Sequence, residues 1–159
     1  MRSIRVTGAV LILLMVLTAI GVALAPIGSP ALGGDEADEF KEFMEPRLLA
    51  LYDSASAVND MVTKKSRNIL ALRSESNRIE AITEEIDAWL ADHDVPAWGE
   101  PVVRDYRDGA AMIDTAITAA YDAISSFDFS RMASMIPVFD EGTGLIQRAL
   151  NTLRGSAGS

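Results

Sequence analysis

The stretch TKKSRN, residues 63–68, decides whether the first half of this chain forms one helix or two. It lies inside the interval from Pro46 to Pro96, which contains no Gly and no further Pro. A tight turn normally recruits Gly, Asn or Pro, and only Asn68 in this stretch qualifies. We therefore expect one continuous or gently kinked helix over residues 46–93, with a bend at residues 63–68 as the alternative.

Apolar residues on both sides of this stretch recur at the alternating spacings of three and four that are typical of a helix. Lys65, Ser76 and Thr83 are polar interruptions of the same register. Pro46 suits the first turn of a helix, and Pro96 cannot continue one. The apolar positions are Leu48, Leu51, Ala55, Val58, Val62, Ile69, Leu72, Ile79, Ile86 and Leu90.

Two further apolar stripes follow, the first running from Val103 to Phe127 and the second from Met132 to Leu153. The second is expected to start after an N-cap at Asp128 or Ser130, to kink or break at Pro137 and to end at Gly155. We find no alternating strand pattern. The sequence thus predicts an all-α, up-down antiparallel bundle with coiled-coil-like packing, of three helices with a long first helix, or of four if that helix bends.

The N-terminal segment VTGAVLILLMVLTAIGVALA, residues 6–25, has no charged residue. A helix of this length extends about 30 Å, the thickness of a bilayer's hydrocarbon core. Arg2 and Arg5 precede it, so we expect an uncleaved single-pass anchor with a cytoplasmic N-terminus and an extracytoplasmic C-terminal domain. The alternative is a secreted protein, produced by cleavage of a signal peptide near Ala25.

Composition shifts divide the chain into four expected segments. They are a transmembrane signal anchor at residues 1–25, a Pro/Gly/Ser tether at 26–34, a helical bundle domain at 35–154 and a flexible tail at 155–159. All 23 acidic residues lie from Asp35 onward, together with 12 of the 14 basic ones, so this part has a net charge of −11. Such a balance argues against nucleic acid as a partner.

The expected first helix is much longer than the two helices that would pack against it. Two helices of about 25 residues would cover only about 37 Å of a first helix that could reach about 70 Å. The half nearer the membrane, residues 40–62, would remain uncovered, and we expect it to bind another envelope protein or a second copy of the chain. The alternative is a bend that completes a four-helix bundle. The exposed apolar residues would be Phe40, Phe43, Met44, Leu48, Leu51 and Val58.

No catalytic, cofactor or metal site is predicted. The chain has no cysteine, and its one histidine, His93, lies between Asp92 and Asp94 in WLADHDVPAWG, residues 89–99. Successive residues of a helix point about a hundred degrees apart, so these three cannot share one ion. No G-x-S-x-G motif or phosphate-binding glycine loop is present, and we do not expect an enzyme. We expect the stretch to close the end of the bundle as a hydrophobic cap.

A second functional hypothesis is a bundle that senses or carries a small apolar ligand between its helices. Aromatic residues supply the candidate lining, although aromatic residues at such positions also form ordinary core. The candidates are Trp89, Trp98, Tyr106 and Phe139.

Overall fold

A computed structural model describes residues 34–64 and 68–156 of the chain. Every regular element in these two ranges is helical, which confirms the predicted all-α bundle. The helices are α1 (Gly34–Thr63), α2 (Ile69–Asp92), α3 (Glu100–Ser126), α4 (Phe129–Ser134) and α5 (Ile136–Gly155).

Part of the predicted organisation falls beyond these ranges. The expected anchor at residues 1–25, the tether up to residue 33 and the end of the tail at 157–159 lie outside the described residues. Among the helices that are described, none combines the length and the apolar character needed to cross a membrane.

The prediction of one long first helix is wrong. Helix α1 ends at Thr63 and α2 begins at Ile69, so the chain reverses at the stretch that holds Asn68. The Asn68 side chain caps α2 by accepting a hydrogen bond of 3.0 Å from the backbone N–H of Ala71. Folding α2 back along α1 buries the apolar faces of both, which a single extended helix could not do.

The start of the first helix also differs from the prediction. Helix α1 begins at Gly34, so Pro46 lies inside the helix rather than in its first turn. Proline has no N–H to donate to the carbonyl one turn earlier, and it disturbs that turn. Arg47 Nη1 donates a hydrogen bond of 2.9 Å to the carbonyl of Phe43 within the same turn.

The break expected at Pro137 is confirmed. Helix α4 ends at Ser134 and α5 begins at Ile136, so Pro137 lies in the first turn of α5. Proline is well accommodated there, because the backbone N–H that it lacks would have no partner inside the helix.

Four helices make up the bundle, with α4 as a short link at one end. Helix α1 packs against both α2 and α5, and α5 packs extensively against α3. Polar contacts between α1 and its neighbours, such as the ion pair of Arg47 with Glu85 on α2, accompany this packing. Helices α2 and α3 touch little, so the described part of the bundle stays open between them.

We call the two ends of the bundle proximal and distal, according to their distance from the N-terminus of α1. The proximal end holds the N-terminus of α1 and the α2–α3 connection, and the distal end holds the C-terminus of α1, the N-terminus of α2 and the short helix α4. Of the two residues predicted as N-cap, Asp128 and Ser130, the structure confirms Asp128, whose carboxylate accepts hydrogen bonds from the backbone N–H groups of Ser130 and Arg131. Helix α5 ends at Gly155, as expected.

The predicted exposure of the apolar stripe at residues 40–62 is also wrong. Phe43 is partly buried against the core, and the other five residues of the stripe are fully buried. Helix α2 covers one side of α1 and α5 covers the other, so the chain satisfies its own apolar surface. The five buried residues are Phe40, Met44, Leu48, Leu51 and Val58.

Candidate functional site

The proximal end contains a column of stacked planar groups. The Arg47 guanidinium carbon lies 3.7 Å from the ring centroid of Phe43. The Phe43 ring stacks on Trp89 at 4.5 Å, and Trp89 stacks on His93 at 4.2 Å. Two of these groups come from α1, Trp89 comes from the last turn of α2, and His93 is the C-cap of α2, so the column joins the ends of the two helices.

The rest of this aromatic group surrounds Phe40. The Trp98 ring meets the Phe40 ring edge-on at 5.4 Å, and both tryptophans pack partly buried against the core. A Cβ atom on Gly99 would lie 2.9 Å from Phe40 Cε1, so only glycine fits beneath that ring. The stretch at residues 89–99 therefore closes the end of the bundle, which confirms the predicted hydrophobic cap.

His93 belongs to this cap. One ring nitrogen, Nδ1, lies 2.9 Å from the carbonyl oxygen of Trp89, and the other, Nε2, lies 3.7 Å from a carboxylate oxygen of Glu39. Asp92 and Asp94 are exposed on either side. Within residues 34–64 and 68–156, no three His, Asp or Glu side chains gather where they could share a metal ion.

A concave opening lies between α2 and α3, which we call the α2–α3 groove. Its volume is about 720 Å³, within the range of small-molecule sites. From Ile69 to Asp87 it follows α2 for about 27 Å. Its lining is Ile69, Arg73, Ser76, Asn77, Ile79, Glu80, Thr83 and Asp87 on α2, with Tyr106, Arg107, Ala110, Ala111, Asp114, Ile117, Thr118 and Tyr121 on α3.

Two tyrosines bridge α2 and α3 at the floor of the groove. Towards the proximal end, the Tyr106 hydroxyl lies 3.2 Å from the Thr83 carbonyl oxygen and 3.1 Å from Asp87 Oδ1. Burial, and then the negative charge of Asp87, raise the pKa of Tyr106 well above its ordinary value, so the phenol keeps its proton and remains a donor. Towards the distal end, the Tyr121 hydroxyl donates to Ser76 Oγ at 3.3 Å.

Charged side chains form the rim. Arg73 and Glu80 stand on α2, and Arg107 and Asp114 stand on α3. All four are exposed, and in the part of the chain that the structure describes none of them lies within 4.0 Å of an opposite charge. The groove thus combines an apolar and hydroxyl-bearing floor with unpaired charges of both signs along its edges.

The four aromatic residues predicted to line a ligand site are not brought together. Tyr106 alone lines the α2–α3 groove, whereas Trp89 and Trp98 belong to the proximal cap and Phe139 is fully buried in the core. Sequence reasoning missed the α2 wall of the groove.

A signal for that wall was present in the sequence. Ser76 and Thr83 interrupt the apolar register of α2, and both line the groove. Polar residues at core register positions reduce the apolar surface that a helix can bury against its neighbour.

Comparison of the chain with known protein families, curated proteins and solved structures finds no match.

Proposed function

We propose that this chain is a membrane-tethered, extracytoplasmic binding module whose α2–α3 groove holds a small amphipathic molecule. The observation that carries the proposal is the open fourth side of the bundle. Helix α1 packs against α2 and α5, and α5 packs against α3, yet α2 and α3 remain apart over several turns. A cleft with an apolar floor and a few convergent polar groups is the usual form of a small-molecule site.

The floor of the groove supports an apolar body in the ligand. Ile79 and Ile117 are buried core residues that also line the groove, and Ala110 adds a small apolar side chain to its α3 wall. Covering such surface with an apolar group gains about 25 cal/mol for each Å² removed from water. The hydroxyls of Tyr106 and Tyr121 supply polar contacts at two levels of the floor.

The rim supports polar or charged groups at the ends of the ligand. Arg73 lies near the distal part of the groove and Arg107 near its proximal part. The hydrogen bonds from Tyr121 to Ser76 and from Tyr106 to Asp87 give the register of the two antiparallel helices. In that register the two arginines are about 20–25 Å apart along the helix axes. An elongated molecule with an anionic head group would therefore find a cationic partner at either end.

The tether is proposed from the sequence. Residues 6–25 are long enough to span a bilayer, and Arg2 and Arg5 favour a cytoplasmic N-terminus. Binding of an envelope protein or a second copy through residues 40–62 is not part of the proposal, because the chain buries that stripe itself.

The test uses a small photoactivatable aryl diazirine as the probe. The full chain is labelled in mild detergent, and the labelled residues are located by peptide mass spectrometry. We expect label on groove residues of both α2 and α3, such as Ile79 and Ile117, in addition to any label on the hydrophobic segment at residues 6–25. Mapping the label by residue separates the groove from the detergent-embedded segment.

A matched pair of variants provides the control. Ala111→Trp places an indole in the groove from an exposed position on α3, and Ala81→Trp adds the same side chain to an exposed position of α2 outside the groove. Labelling of the groove should fall about tenfold in Ala111→Trp and stay unchanged in Ala81→Trp. Equal labelling of the groove in both variants, or no groove labelling in the original chain, would overturn the proposal.

A further inference from the structure

A second concave surface lies between α1 and α5, on the side of the bundle opposite the α2–α3 groove. We call it the α1–α5 cleft, and its volume is about 350 Å³, within the range of small-molecule sites. The cleft and the groove have no helix in common, so each can be tested by itself. The cleft is lined by Tyr52, Ser56, Asn59, Asp60 and Thr63 on α1 and by Asp140, Thr143, Gly144 and Gln147 on α5.

Two side-chain hydrogen bonds fix the register of the antiparallel helices α1 and α5. Arg154 Nε donates to Glu45 Oε1 at 2.8 Å, and Asn59 Nδ2 donates to Asp140 Oδ1 at 2.7 Å. Fourteen residues separate the two contacts on each helix, so both bonds give the same alignment. In this alignment, polar residues of the cleft stand at the same level on the two helices. The level pairs are Tyr52 with Gln147, Ser56 with Thr143 and Asn59 with Asp140.

Gly144 lines the cleft without a packing reason to be glycine. It lies inside α5, where only proline is less favourable, and a Cβ atom added to it would meet no described atom within 4 Å. Gly109 and Gly142 are different, since a Cβ atom on either would press on the backbone of the facing helix. Glycine also occurs where a ligand approaches the backbone closely. Gly144 therefore indicates an occupant of the cleft.

An unsatisfied acceptor in the wall of the cleft is a second, independent observation. Asn59 donates its amide N–H to Asp140, but its Oδ1 atom is buried and accepts no hydrogen bond from any described residue. Exchanging the two amide atoms would place an oxygen against the Asp140 carboxylate, so the observed orientation is the favourable one. A buried acceptor without a donor costs stability, and a donor on a bound molecule would offset that cost.

The polar groups of the cleft are those that pair with hydroxyls. Of the described residues that line it, none is basic, which disfavours an anionic ligand. Two are carboxylates, but Asp60 already forms an ion pair with Lys64. Asp140 accepts from the Asn59 amide, so the demand for a cation is small. The amides and hydroxyls that complete the lining supply both donors and acceptors, which suits a sugar hydroxyl because it donates and accepts at once.

We infer that the α1–α5 cleft binds a short, uncharged oligosaccharide. Tyr52 adds a half-buried aromatic side chain at one end of the cleft, and the electron-rich face of such a ring suits the C–H face of a sugar. From Tyr52 to Thr63 the cleft follows α1 for about 17 Å, so its shape is that of a short chain of sugar rings. This inference does not depend on which molecule occupies the α2–α3 groove.

The experiment uses the full chain in phosphatidylcholine nanodiscs, so that no detergent with a sugar headgroup competes. Uncharged trisaccharides of glucose, galactose, mannose and N-acetylglucosamine are tested by saturation-transfer NMR, and those that bind are titrated by calorimetry. We expect saturable binding of at least one trisaccharide, with a dissociation constant of about 1 mM or lower. Spermidine serves as the probe for a cation site, and at about 0.15 M salt it should not displace the bound trisaccharide.

Three variants test the named residues. Gly144→Leu fills the cleft and should weaken binding about tenfold, while it melts at the same or a higher temperature because leucine favours a helix, which separates lost binding from lost folding. Asp140→Ala removes an acceptor from the cleft and should also weaken binding about tenfold. Glu141→Ala removes the neighbouring exposed carboxylate, which lies outside the cleft, and should leave binding unchanged.

Three results would overturn the inference. The first is the absence of saturable binding of every trisaccharide at concentrations up to about 10 mM. The second is binding to Gly144→Leu that is as tight as binding to the original chain. The third is displacement of the trisaccharide by spermidine, which would assign the cleft to a cation.

Discussion

Replacing Gly109 with alanine should destabilise the fold, because helices α3 and α5 cross in backbone contact at this glycine. A Cβ atom on Gly109 would lie 2.8 Å from the backbone oxygen of Gly142 and 2.9 Å from Ile146 Cδ1. The contact is reciprocal, since a Cβ atom on Gly142 would lie 3.0 Å from the backbone oxygen of Gly109. The nearest atom in each case is backbone, so the helices themselves would have to separate.

Two opposing contributions set the change in the free energy of unfolding that Gly109→Ala causes. Alanine is favoured over glycine inside a helix by about 1 kcal/mol. Forcing an additional carbon into a closely packed contact costs roughly 1–3 kcal/mol, and the upper value applies where fixed backbone atoms must move. We therefore expect Gly109→Ala to lower the free energy of unfolding by about 2 kcal/mol, which corresponds to a melting temperature lower by about 8 °C in a domain of this size.

Gly144 on α5 provides the control. A Cβ atom added there meets no atom within 4 Å, so Gly144→Ala gains the helix preference without any clash. It should raise the free energy of unfolding by about 0.5–1 kcal/mol. The assay is urea denaturation of the full chain in mild detergent, followed by circular dichroism. If Gly109→Ala proved as stable as Gly144→Ala, the close crossing of α3 and α5 would be refuted.

Further predictions concern a buried phenol, the proximal cap and a helix terminus. Burial and the charge of Asp87 raise the pKa of Tyr106, so the stability that the protonated phenol contributes should be present below about pH 10 and lost as the pH rises further. In urea denaturation, Tyr106→Phe should lose less unfolding free energy than the original chain as the pH is raised. An equal loss in both would contradict this prediction. Gly99→Ala should lower the free energy of unfolding by about 1–2 kcal/mol and shift the tryptophan emission, because its Cβ would clash with the buried ring of Phe40. Hydrogen bonds from Ser130 and Arg131 lower the pKa of Asp128, so its carboxylate contributes stability that is lost as the pH falls through that lowered pKa. Asp128→Asn has no carboxylate to protonate, so acid denaturation of this variant should show a smaller loss of stability over the same pH range.

The sequence could not decide whether the first helix reverses at residues 63–68. Turn propensity at residues 63–68 is weak, and the periodicity of the apolar residues is the same on both sides of the break. The reversal is stabilised by the burial that follows it, when residues from α1 such as Leu48 and Leu51 meet α2 and α5. That gain depends on residues far away in the sequence, so no local pattern reveals it.

The candidate site shows the same limit. Tyr106 was one of four aromatic residues that the sequence offered as ligand lining, but its partners Thr83 and Asp87 come from another helix. Phe139 was predicted beside it and lies in the core instead, because periodicity gives the face of a helix and not the neighbour that the face meets.

By itself, the sequence determined the class of the fold, the apolar face of each helix, an N-cap at Asp128 or Ser130, a kink or break at Pro137 and the aromatic cap at residues 89–99. These features depend on local backbone chemistry and on the 3.6-residue period, which are written within a few turns of chain. Only the tertiary structure decided that α2 folds back on α1, that the expected partner stripe is core, and that α2 and α3 stay apart to leave a groove. The physical reason is that burial is shared among all the helices at once, so which apolar faces meet is a property of the whole bundle.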